Sequence, residues 1–313
     1  MQRGPLIIGS RGSNLALYQA HWVRSELERC FPDLAIEIRI IKTSGDIITD
    51  APLNKIGGKG LFTKEIEESL LERRIDLAVH SLKDLPTQLP TGLCLAAITV
   101  REDARDALVS DKFKSLAAIP AGAHIGTSSL RRQSQLLHLH SDLKILNLRG
   151  NLDTRLRKLE ANQYDAIVLA SAGLIRLGHS DRIAELIPVE QLCPAIGQGA
   201  LGIETRTDDS FTIEKVQRLN HAETQLATVA ERAFLKRLGG GCQVPIGGYA
   251  LLEDDNLLMQ GVIASPDGHR LFRDSMAAKI DGRHEAEAVG HRLAERMLAS
   301  GAQAVVDAVL DQV

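Results

Sequence analysis

The segment IDLAVHS, residues 75–81, decides the fold because a similar segment, YDAIVLA, follows at residues 164–170. Both segments place an aspartate, Asp76 or Asp165, before a short apolar run. A run of this length and composition is typical of a buried strand. Because each aspartate holds the same place in its segment, the pair indicates an internal repeat.

The repeat extends to the residues around these strands. PLIIGS at 5–10 aligns with AHIGTSS at 123–129, so Gly9 corresponds to Gly126. Apolar residues then follow strand and helical spacing in the same order in both halves. The predicted strands are 5–10, 34–41, 75–81, 123–129, 143–148 and 164–170. The predicted helices, with the residues expected to cap them, are 14–29 (Ser13), 64–74 (Thr63), 130–138 and 154–160 (Asp153).

The fold predicted from this repeat is α/β, with two similar α/β domains and a small C-terminal α+β domain. Ligands of such sheets bind at the carboxyl ends of strands, often between two domains. From about residue 222 the pattern changes to an amphipathic helix and an antiparallel meander with a turn at 266–268. A last helix is predicted over 285–310.

The composition excludes several functional classes. The chain has 313 residues, 44% hydrophobic and 25% charged, which suits a globular protein of two or three domains. Its net charge of -3 and aromatic content of 3% argue against nucleic-acid binding. No apolar run reaches the ~20 residues of a membrane span. The N-terminus lacks a secretory signal pattern, so we expect a cytoplasmic protein with reduced cysteines. No Cys/His spacing predicts a metal site.

Arginine residues gather where predicted strands end and helices begin. In GTSSLRRQSQ the hydroxyl residues Thr127, Ser128 and Ser129 precede Arg131 and Arg132. A helix N-terminus favours an anion, and guanidinium forks match carboxylate or phosphate. The other arginines near such junctions are Arg11, Arg149, Arg155 and Arg176. Each alone could be a solvated surface residue, but their shared location predicts a polyanionic ligand. No P-loop sequence is present.

The stretch HSLKDLP adds a carboxylate near the same edge. Asp84 either pairs with Lys83 or an arginine, or faces a part of the ligand that becomes cationic. In the second case it could stabilise developing positive charge or move a proton. His80 is expected to be a packed or hydrogen-bonded strand residue. Lys55 and Lys59 are expected in a mobile loop around GGKG.

Cys242 lies within LGGGCQVPIGG, residues 238–248. Glycine loses much conformational freedom on folding, so such a run indicates the close approach of a bulky group to the backbone. The alternative is a flexible loop around a thiol that behaves as a small apolar side chain.

Several long motifs occur together and in one order. They are IGSRGSNLAL, GGKGLFTKEIE, AVHSLKDLP, GTSSLRRQSQL, LRGNLDTRL, PAIGQGALGIE and LGGGCQVPIG. On these motifs the chain resembles the porphobilinogen deaminase (hydroxymethylbilane synthase) family from end to end. One departure is REDARDAL, where the family pattern has proline in place of Ala104. That position concerns the stiffness of a hinge between the first two domains and not the chemistry.

The resemblance implies both a cofactor and an activity. Members of the family carry a dipyrromethane as a thioether on the cysteine that matches Cys242. On it they join four porphobilinogen molecules head to tail into the linear tetrapyrrole hydroxymethylbilane, for porphyrin and heme biosynthesis. Thiolate is the reactive form of such a cysteine. Each pyrrole unit carries acetate and propionate arms, so a growing chain accumulates carboxylates that need many cations.

The resemblance also implies residue roles. Asp84 is the catalytic carboxylate that faces the pyrrole nitrogens and stabilises the azafulvenium-like cation formed on deamination. The cofactor-binding residues are Cys242, Lys83, Ser129, Arg131, Arg132 and Arg155. The substrate-binding residues are Arg11, Ser13, Arg149, Arg155 and Arg176. The mobile-loop residues are Lys55, Lys59 and Phe62.

By the same resemblance, the first two domains are like the lobes of periplasmic binding proteins, and the third carries the cofactor loop. The expected boundaries are 1–98 with 199–218 for domain 1, 99–198 for domain 2 and 219–313 for domain 3. The segment PAIGQGALGIETR at 194–206 is where the chain is expected to return to domain 1.

The expected partner is the small molecule porphobilinogen, with no nucleic acid and no membrane. The family suggests a monomer, with a transient hand-over of product to the next pathway enzyme. Two alternatives from other classes are a non-catalytic two-lobed protein that binds a carboxylate or oxyanion, and a cysteine-nucleophile hydrolase. Only the deaminase hypothesis predicts a covalent pyrrole adduct in the purified protein.

Overall fold

The computed structural model describes residues 4–47, 60–239 and 244–310. Its strands are β1 (Leu6–Ser10), β2 (Ile36–Ile40), β3 (Leu77–Ser81), β4 (Leu93–Ile98), β5 (Asp106–Val109), β6 (His124–Gly126), β7 (Lys144–Leu146), β8 (Ala166–Ala170), β9 (Glu185–Ile187), β10 (Leu201–Arg206), β11 (Ile246–Glu253), β12 (Asn256–Ala264) and β13 (Leu271–Lys279). Its α-helices are α1 (Asn14–Cys30), α2 (Ser44–Ile47), α3 (Lys64–Leu71), α4 (Leu130–Leu139), α5 (Leu152–Glu160), α6 (Ser171–Arg176), α7 (Ser210–Val216), α8 (Ala222–Arg237), α9 (Arg283–Met297) and α10 (Gln303–Leu310). Within the described ranges, no helix has the length and apolar character needed to cross a membrane.

The described residues form two compact units. The first unit draws its described residues from 1–49, 58–102 and 200–225, and the second from 103–199 and 226–313. The chain therefore returns to the first unit just before β10. The division of the second unit into two domains stays a prediction.

The first unit is built on a five-stranded sheet in the order β2-β1-β3-β10-β4. Strand β1 is parallel to β2 and β3, whereas β10 is antiparallel to both β3 and β4. Helix α1 covers this sheet with Ala20, Val23 and Leu27, which are all buried, because these residues recur at helical spacing. Its start is fixed by Ser13, whose hydroxyl oxygen accepts a hydrogen bond from the Ala16 N–H, as predicted.

The second unit contains a sheet with the same spatial strand order, β7-β6-β8-β5-β9. Its strand β5 precedes the other strands of its sheet in the chain, whereas the corresponding β10 follows all those of the first sheet. Strand β6 is parallel to β7 and β8, and β5 is antiparallel to β8 and β9. The predicted internal repeat is therefore confirmed at the level of strand order and direction. The prediction of an α/β fold with two similar domains is confirmed with it.

The repeat also holds in atomic detail at the aspartates. The Asp76 carboxylate accepts a hydrogen bond from the Ile7 N–H at 2.9 Å, while the Asp76 N–H donates to the Ile7 carbonyl. The Asp165 carboxylate accepts from the His124 N–H at 2.8 Å, and its N–H donates to the His124 carbonyl. Each aspartate thus joins two parallel strands before their ladder begins.

The paired glycines allow the central strands to approach closely. A Cβ atom on Gly9 would lie 2.3 Å from Ile75 Cδ1, and one on Gly126 would lie 2.8 Å from Tyr164 Cδ1. Ile75 and Tyr164 are the residues just before the paired aspartates. The repeated glycine is explained by this contact, since any larger residue would push against the same buried side chain.

A third sheet, β11-β12-β13, is antiparallel throughout and lies near the C-terminus. Its apolar core gathers around Phe234 of α8 and Met297 of α9 and is separate from the cores of the second sheet. The predicted meander and small α+β region are confirmed, and Gly268 takes a φ of 76° in the predicted turn.

Three local predictions are wrong. Thr63 precedes α3 but its side chain makes no capping hydrogen bond. Helix α5 is capped by Asn151, whose side-chain oxygen accepts from the Thr154 N–H, and Asp153 lies in the first turn instead. The single last helix is divided between α9 and α10 because Gly301 has a φ of 109°, which a continuous helix does not allow.

Candidate active site

At the carboxyl end of the first sheet, Arg11 follows β1 and contacts Phe62. The Arg11 guanidinium carbon lies 4.2 Å from the centre of the Phe62 ring. Stacking of this kind restrains an arginine while leaving its N–H groups able to donate. The structure therefore brings together a predicted substrate-binding residue and a predicted loop residue. The other two loop residues, Lys55 and Lys59, lie outside the described residues.

Strand β3 leads directly into a 3₁₀ turn, Leu82–Asp84, which presents Lys83 and Asp84. Leu82 is buried, and its N–H donates to the Ala200 carbonyl at 3.0 Å, so the base of the turn is fixed. Lys83 is half-buried and Asp84 is exposed. Within the described residues the Asp84 carboxylate has no hydrogen bond or ion pair. It does not simply neutralise Lys83 or an arginine there.

His80 is a hydrogen-bonded strand residue, as expected. Its Nε2 lies 3.1 Å from Glu204 Oε2, and both side chains are buried between β3 and β10. Glu67 of α3 is buried close by. Burial raises the pKa of the Glu67 carboxyl, and the nearby Glu204 charge raises it further, although Thr63 and His80 act in the opposite direction. This cluster was not predicted from the sequence, because its members come from three separate segments.

In the second unit, three hydroxyl residues organise the start of α4. The Ser129 hydroxyl oxygen accepts from the Arg132 N–H, and Thr127 Oγ1 accepts from the Ser129 N–H at 3.2 Å. Ser128 Oγ donates to the Leu148 carbonyl at 2.6 Å. The predicted junction is thus held by its own hydroxyl groups.

Arg131 and Arg132 are buried and share one carboxylate. Arg131 Nη1 donates to Asp106 Oδ2 at 2.8 Å, and Arg132 Nη2 donates to Asp106 Oδ1 at 2.7 Å. They also donate to the backbone carbonyls of Cys193 and Val168. Burial alone would raise the pKa of Asp106, but the two guanidinium charges outweigh it and hold that pKa well below its usual range.

Asp106 was missed by the sequence prediction. It begins β5 and is fully buried. An aspartate directly before the apolar residues ALV is a weak signal, because the same pattern occurs at strand ends that face solvent. The adjacent Arg131 and Arg132 are a second weak signal, because a buried charge needs a partner of opposite sign.

The remaining predicted arginines lie at half-buried positions in the same unit. Arg155 Nε donates to the Gly150 carbonyl at 2.9 Å beside the start of α5. Arg176 is the last residue of α6, and its Nη2 donates to the Gly199 carbonyl at 2.6 Å. The Arg149 carbonyl accepts from Lys158 Nζ at 3.1 Å. The guanidinium groups of Arg155 and Arg176 are thus oriented by backbone carbonyls, which are neutral acceptors.

Cys242 lies outside the described residues, and the described chain resumes at Val244. Pro245 is buried, and its carbonyl accepts from the Ala264 N–H at 3.1 Å, so this flank is tied to the third sheet. Burial raises the pKa of the Cys193 thiol to about 12, which makes it a poor nucleophile. Cys30 is exposed and Cys94 is half-buried, and both are free thiols.

The fold is that of an α/β protein whose first sheet ends in an exposed acid, Asp84, and whose second sheet carries a pair of buried arginines. Residues 6–214 match the family domain described as "Porphobilinogen deaminase, dipyromethane cofactor binding domain", and residues 225–299 match "Porphobilinogen deaminase, C-terminal domain". The chain belongs to the porphobilinogen deaminase family.

Individual relatives agree with this membership. The porphobilinogen deaminase of Syntrophotalea carbinolica is 52% identical over 309 residues, which cover 99% of this chain and 97% of the relative. That of Chlorobaculum tepidum is 50% identical over 301 residues, with 96% of each chain covered.

Among solved structures, an ABC transporter periplasmic substrate-binding protein from Coxiella burnetii covers 72% of this chain and 96% of its own, with 14% identity and a TM-score of 0.44.

Proposed function

We propose that this protein is a transferase that deaminates porphobilinogen and joins four molecules head to tail into hydroxymethylbilane. The product is primed on a dipyrromethane held as a thioether on Cys242. The observation that carries this function is the match to both domains of the porphobilinogen deaminase family. The alternative of a non-catalytic carboxylate- or oxyanion-binding protein has no such support.

The donors on this chain suit a dipyrromethane, because its acetate and propionate arms are carboxylates. We assign these carboxylates to an ammonium, a hydroxyl and several guanidinium groups. The residues that supply them are Lys83, Ser129, Arg131, Arg132 and Arg155. Arg131 Nε is buried and has no hydrogen-bond partner among the described residues, so this donor remains after Asp106 is bound. When bound, the cofactor supplies the primer to which each new pyrrole is joined.

Asp84 is the proposed catalytic residue. As ammonia leaves the substrate, positive charge spreads to the pyrrole nitrogen, and a fixed carboxylate beside that nitrogen stabilises it. The same carboxylate can hold the proton that a pyrrole gives up. The anchored Leu82 supports this role, since a charge that is already positioned needs no reorganisation during the reaction.

The substrate carboxylates are assigned to arginine and hydroxyl donors. These are Arg11, Ser13, Arg149, Arg155 and Arg176. The stacking of Phe62 on Arg11 supports a link between the loop of Lys55, Lys59 and Phe62 and substrate binding. We also propose a cytoplasmic monomer that transiently hands its product to the next enzyme of porphyrin biosynthesis. The separate core of the third sheet supports a three-domain division.

The test is the intact mass of the denatured protein beside a Cys242→Ser variant, before and after incubation with porphobilinogen. Excess mass equal to two linked pyrrole units in the parent, absent from the variant, is the expected result. An adduct that persists in the variant would move the anchor to another residue. A bare mass in the parent after incubation, with no porphobilinogen consumed, would overturn the proposed function.

A further inference from the structure

The segment Gly197–Gln198–Gly199 has no role in the function proposed above, yet all three residues are buried. Gly197 has a φ of 71° and Gly199 a φ of 93°, so both occupy a region that favours glycine. The segment therefore has a conformation that few other sequences can adopt. It is called here the hinge-loop segment, and it belongs to the second unit.

Glu231 of α8, which follows the hinge-loop segment in the chain, binds this segment through its carboxylate. Glu231 Oε2 accepts from the Gly197 N–H at 2.6 Å, and Oε1 accepts from the Ala250 N–H at 2.8 Å. Glu231 is fully buried. A buried carboxylate that accepts two backbone N–H bonds fixes both donors, because releasing either would leave a charge poorly solvated.

The same segment also contacts Asp106, which pairs with Arg131 and Arg132, and Arg176. Gln198 Nε2 donates to Asp106 Oδ1 at 2.9 Å and to the Ala104 carbonyl at 2.7 Å. That Oδ1 also accepts from Arg132, as described above. The Gly199 carbonyl accepts from Arg176 Nη2 at 2.6 Å. One three-residue segment thus contacts Glu231, the partner of Arg131 and Arg132, and Arg176.

We propose that the hinge-loop segment is a positioning element, in which Glu231 and Gln198 set the guanidinium groups of Arg132 and Arg176 for ligand carboxylates. This role rests on the proposed function of those arginines. Neither Glu231 nor Gln198 needs to touch the ligand. A hydrogen-bonded network of this kind passes a displacement from one member to the next, because each buried group depends on its neighbour.

The first experiment uses Gln198→Met, which keeps the side-chain length and removes the amide. We expect the porphobilinogen KM to rise about tenfold while kcat changes less than about threefold, because a hydrogen bond to a charged group is lost outside the reacting centre. The matched control is Gln135→Met. Gln135 is equally buried in the same unit and bonds to Cys193 and the Arg131 carbonyl, but not to Asp106 or the segment. An equal rise in KM in both variants would overturn the proposal.

The second experiment tests the link between Glu231 and Gln198. If both act through the segment, the KM of Glu231→Gln/Gln198→Met will be lower than the product of the single effects predicts. Multiplying effects would mean that the two residues act independently, which overturns the proposal. The unaltered protein is measured beside them, so failure to consume porphobilinogen would overturn the proposed function separately.

Hydrogen exchange gives a readout that does not depend on activity. In Glu231→Gln we expect faster exchange in peptides that contain residues 197–199 and also in those that contain residues 104–106. Gln135→Met should leave the exchange of 197–199 unchanged. Faster exchange confined to 197–199 in Glu231→Gln would show that the segment does not reach Asp106 and would overturn the proposal.

Discussion

The two parallel-based sheets share one strand order but differ at the first residue of the antiparallel strand, β10 or β5, that pairs with β3 or β8. In the first sheet this residue is Leu201, which lies opposite Ser81. In the second it is Asp106, which lies opposite Ala170. Both positions are fully buried or nearly so. Leu201 is apolar and can form no ion pair, whereas Asp106 at the corresponding position binds two arginines.

This difference shows how one scaffold carries two kinds of charge. In the first sheet the carboxylate is Asp84, which is exposed at the end of an anchored turn. In the second sheet the carboxylate is buried and its role is to hold Arg131 and Arg132. The two carboxylates lie at different places on the shared strand order: Asp84 is in the turn after β3, whereas Asp106 is the first residue of β5.

The largest expected effect is a loss of turnover when the exposed carboxylate of the first sheet, Asp84, is removed. Asp84→Ala should reduce turnover by about 100- to 10,000-fold, the usual range for a positioned acid–base or electrostatic group. The covalent adduct should remain, since no described hydrogen bond depends on the Asp84 side chain. Porphobilinogen consumption and intact mass measure the two outcomes. Near-normal turnover would remove Asp84 from the mechanism.

The next largest effect is a loss of stability when the buried carboxylate of the second sheet, Asp106, is removed. Asp106→Ala should cost about 3–5 kcal/mol of unfolding free energy, because two buried guanidinium groups lose their partner. Urea unfolding measures the loss. The pKa of Asp106 is lowered in the folded state, so its stabilisation is present above the unfolded pKa and is lost as pH falls through the folded pKa. Asp106→Asn should therefore flatten the acid side of the stability profile. An unchanged acid slope would contradict the pairing.

Arginine substitutions then separate stability from cofactor loading. Arg132→Leu should impair loading, because cofactor carboxylates would lack a cation. Its matched control is Arg206→Leu in the first sheet, where Arg206 is equally buried and pairs with Asp76 and Asp209. Both variants should lose stability, but only Arg132→Leu should lose the mass of the dipyrromethane. Full loading in both would show that the cofactor site is misassigned.

Matched glycine substitutions compare the two sheets directly. Gly126→Ala should cost about 1–3 kcal/mol by overpacking, and Gly9→Ala should cost less. The Tyr164 ring beside Gly126 is held by a hydrogen bond from its hydroxyl to the Asn147 carbonyl, whereas Ile75 Cδ1 beside Gly9 ends a flexible side chain. Urea midpoints measure both. A larger loss at Gly9 would mean that the Ile75 side chain cannot move aside for the added methyl group.

The smallest effect concerns the buried acid of the first sheet. The pKa of Glu67 is raised, so the stability contributed by its protonated form is present below the unfolded pKa and is lost as pH rises through the folded pKa. Glu204, His80 and Glu68 are the charged or titratable groups that act on it. Glu67→Gln should flatten the thermal-midpoint profile above about pH 4. A profile identical to that of the parent would show that Glu67 does not titrate there.

The parts predicted well from the sequence are those with local or repeated signals. The internal repeat followed from the paired aspartates and glycines, and the start of α1 followed from Ser13. The burial of Arg131 and Arg132 was not predictable from the sequence, because their shared partner Asp106 is distant in the chain. It lies 25 residues before Arg131. The wrong cap at Asp153 has a local cause, since Asn151 and Asp153 both suit a cap and only geometry chooses between them.

The late position of β10 in the chain has a consequence for synthesis. The first sheet needs β10 between β3 and β4, yet β10 begins at Leu201, after the whole second sheet, whose strands end at Ile187. A chain that emerges from the ribosome in order completes the second sheet while β3 and β4 still lack their shared neighbour. Until then these two strands expose unpaired edges, so a pause in translation before residue 201 should favour aggregation more than a pause after residue 206.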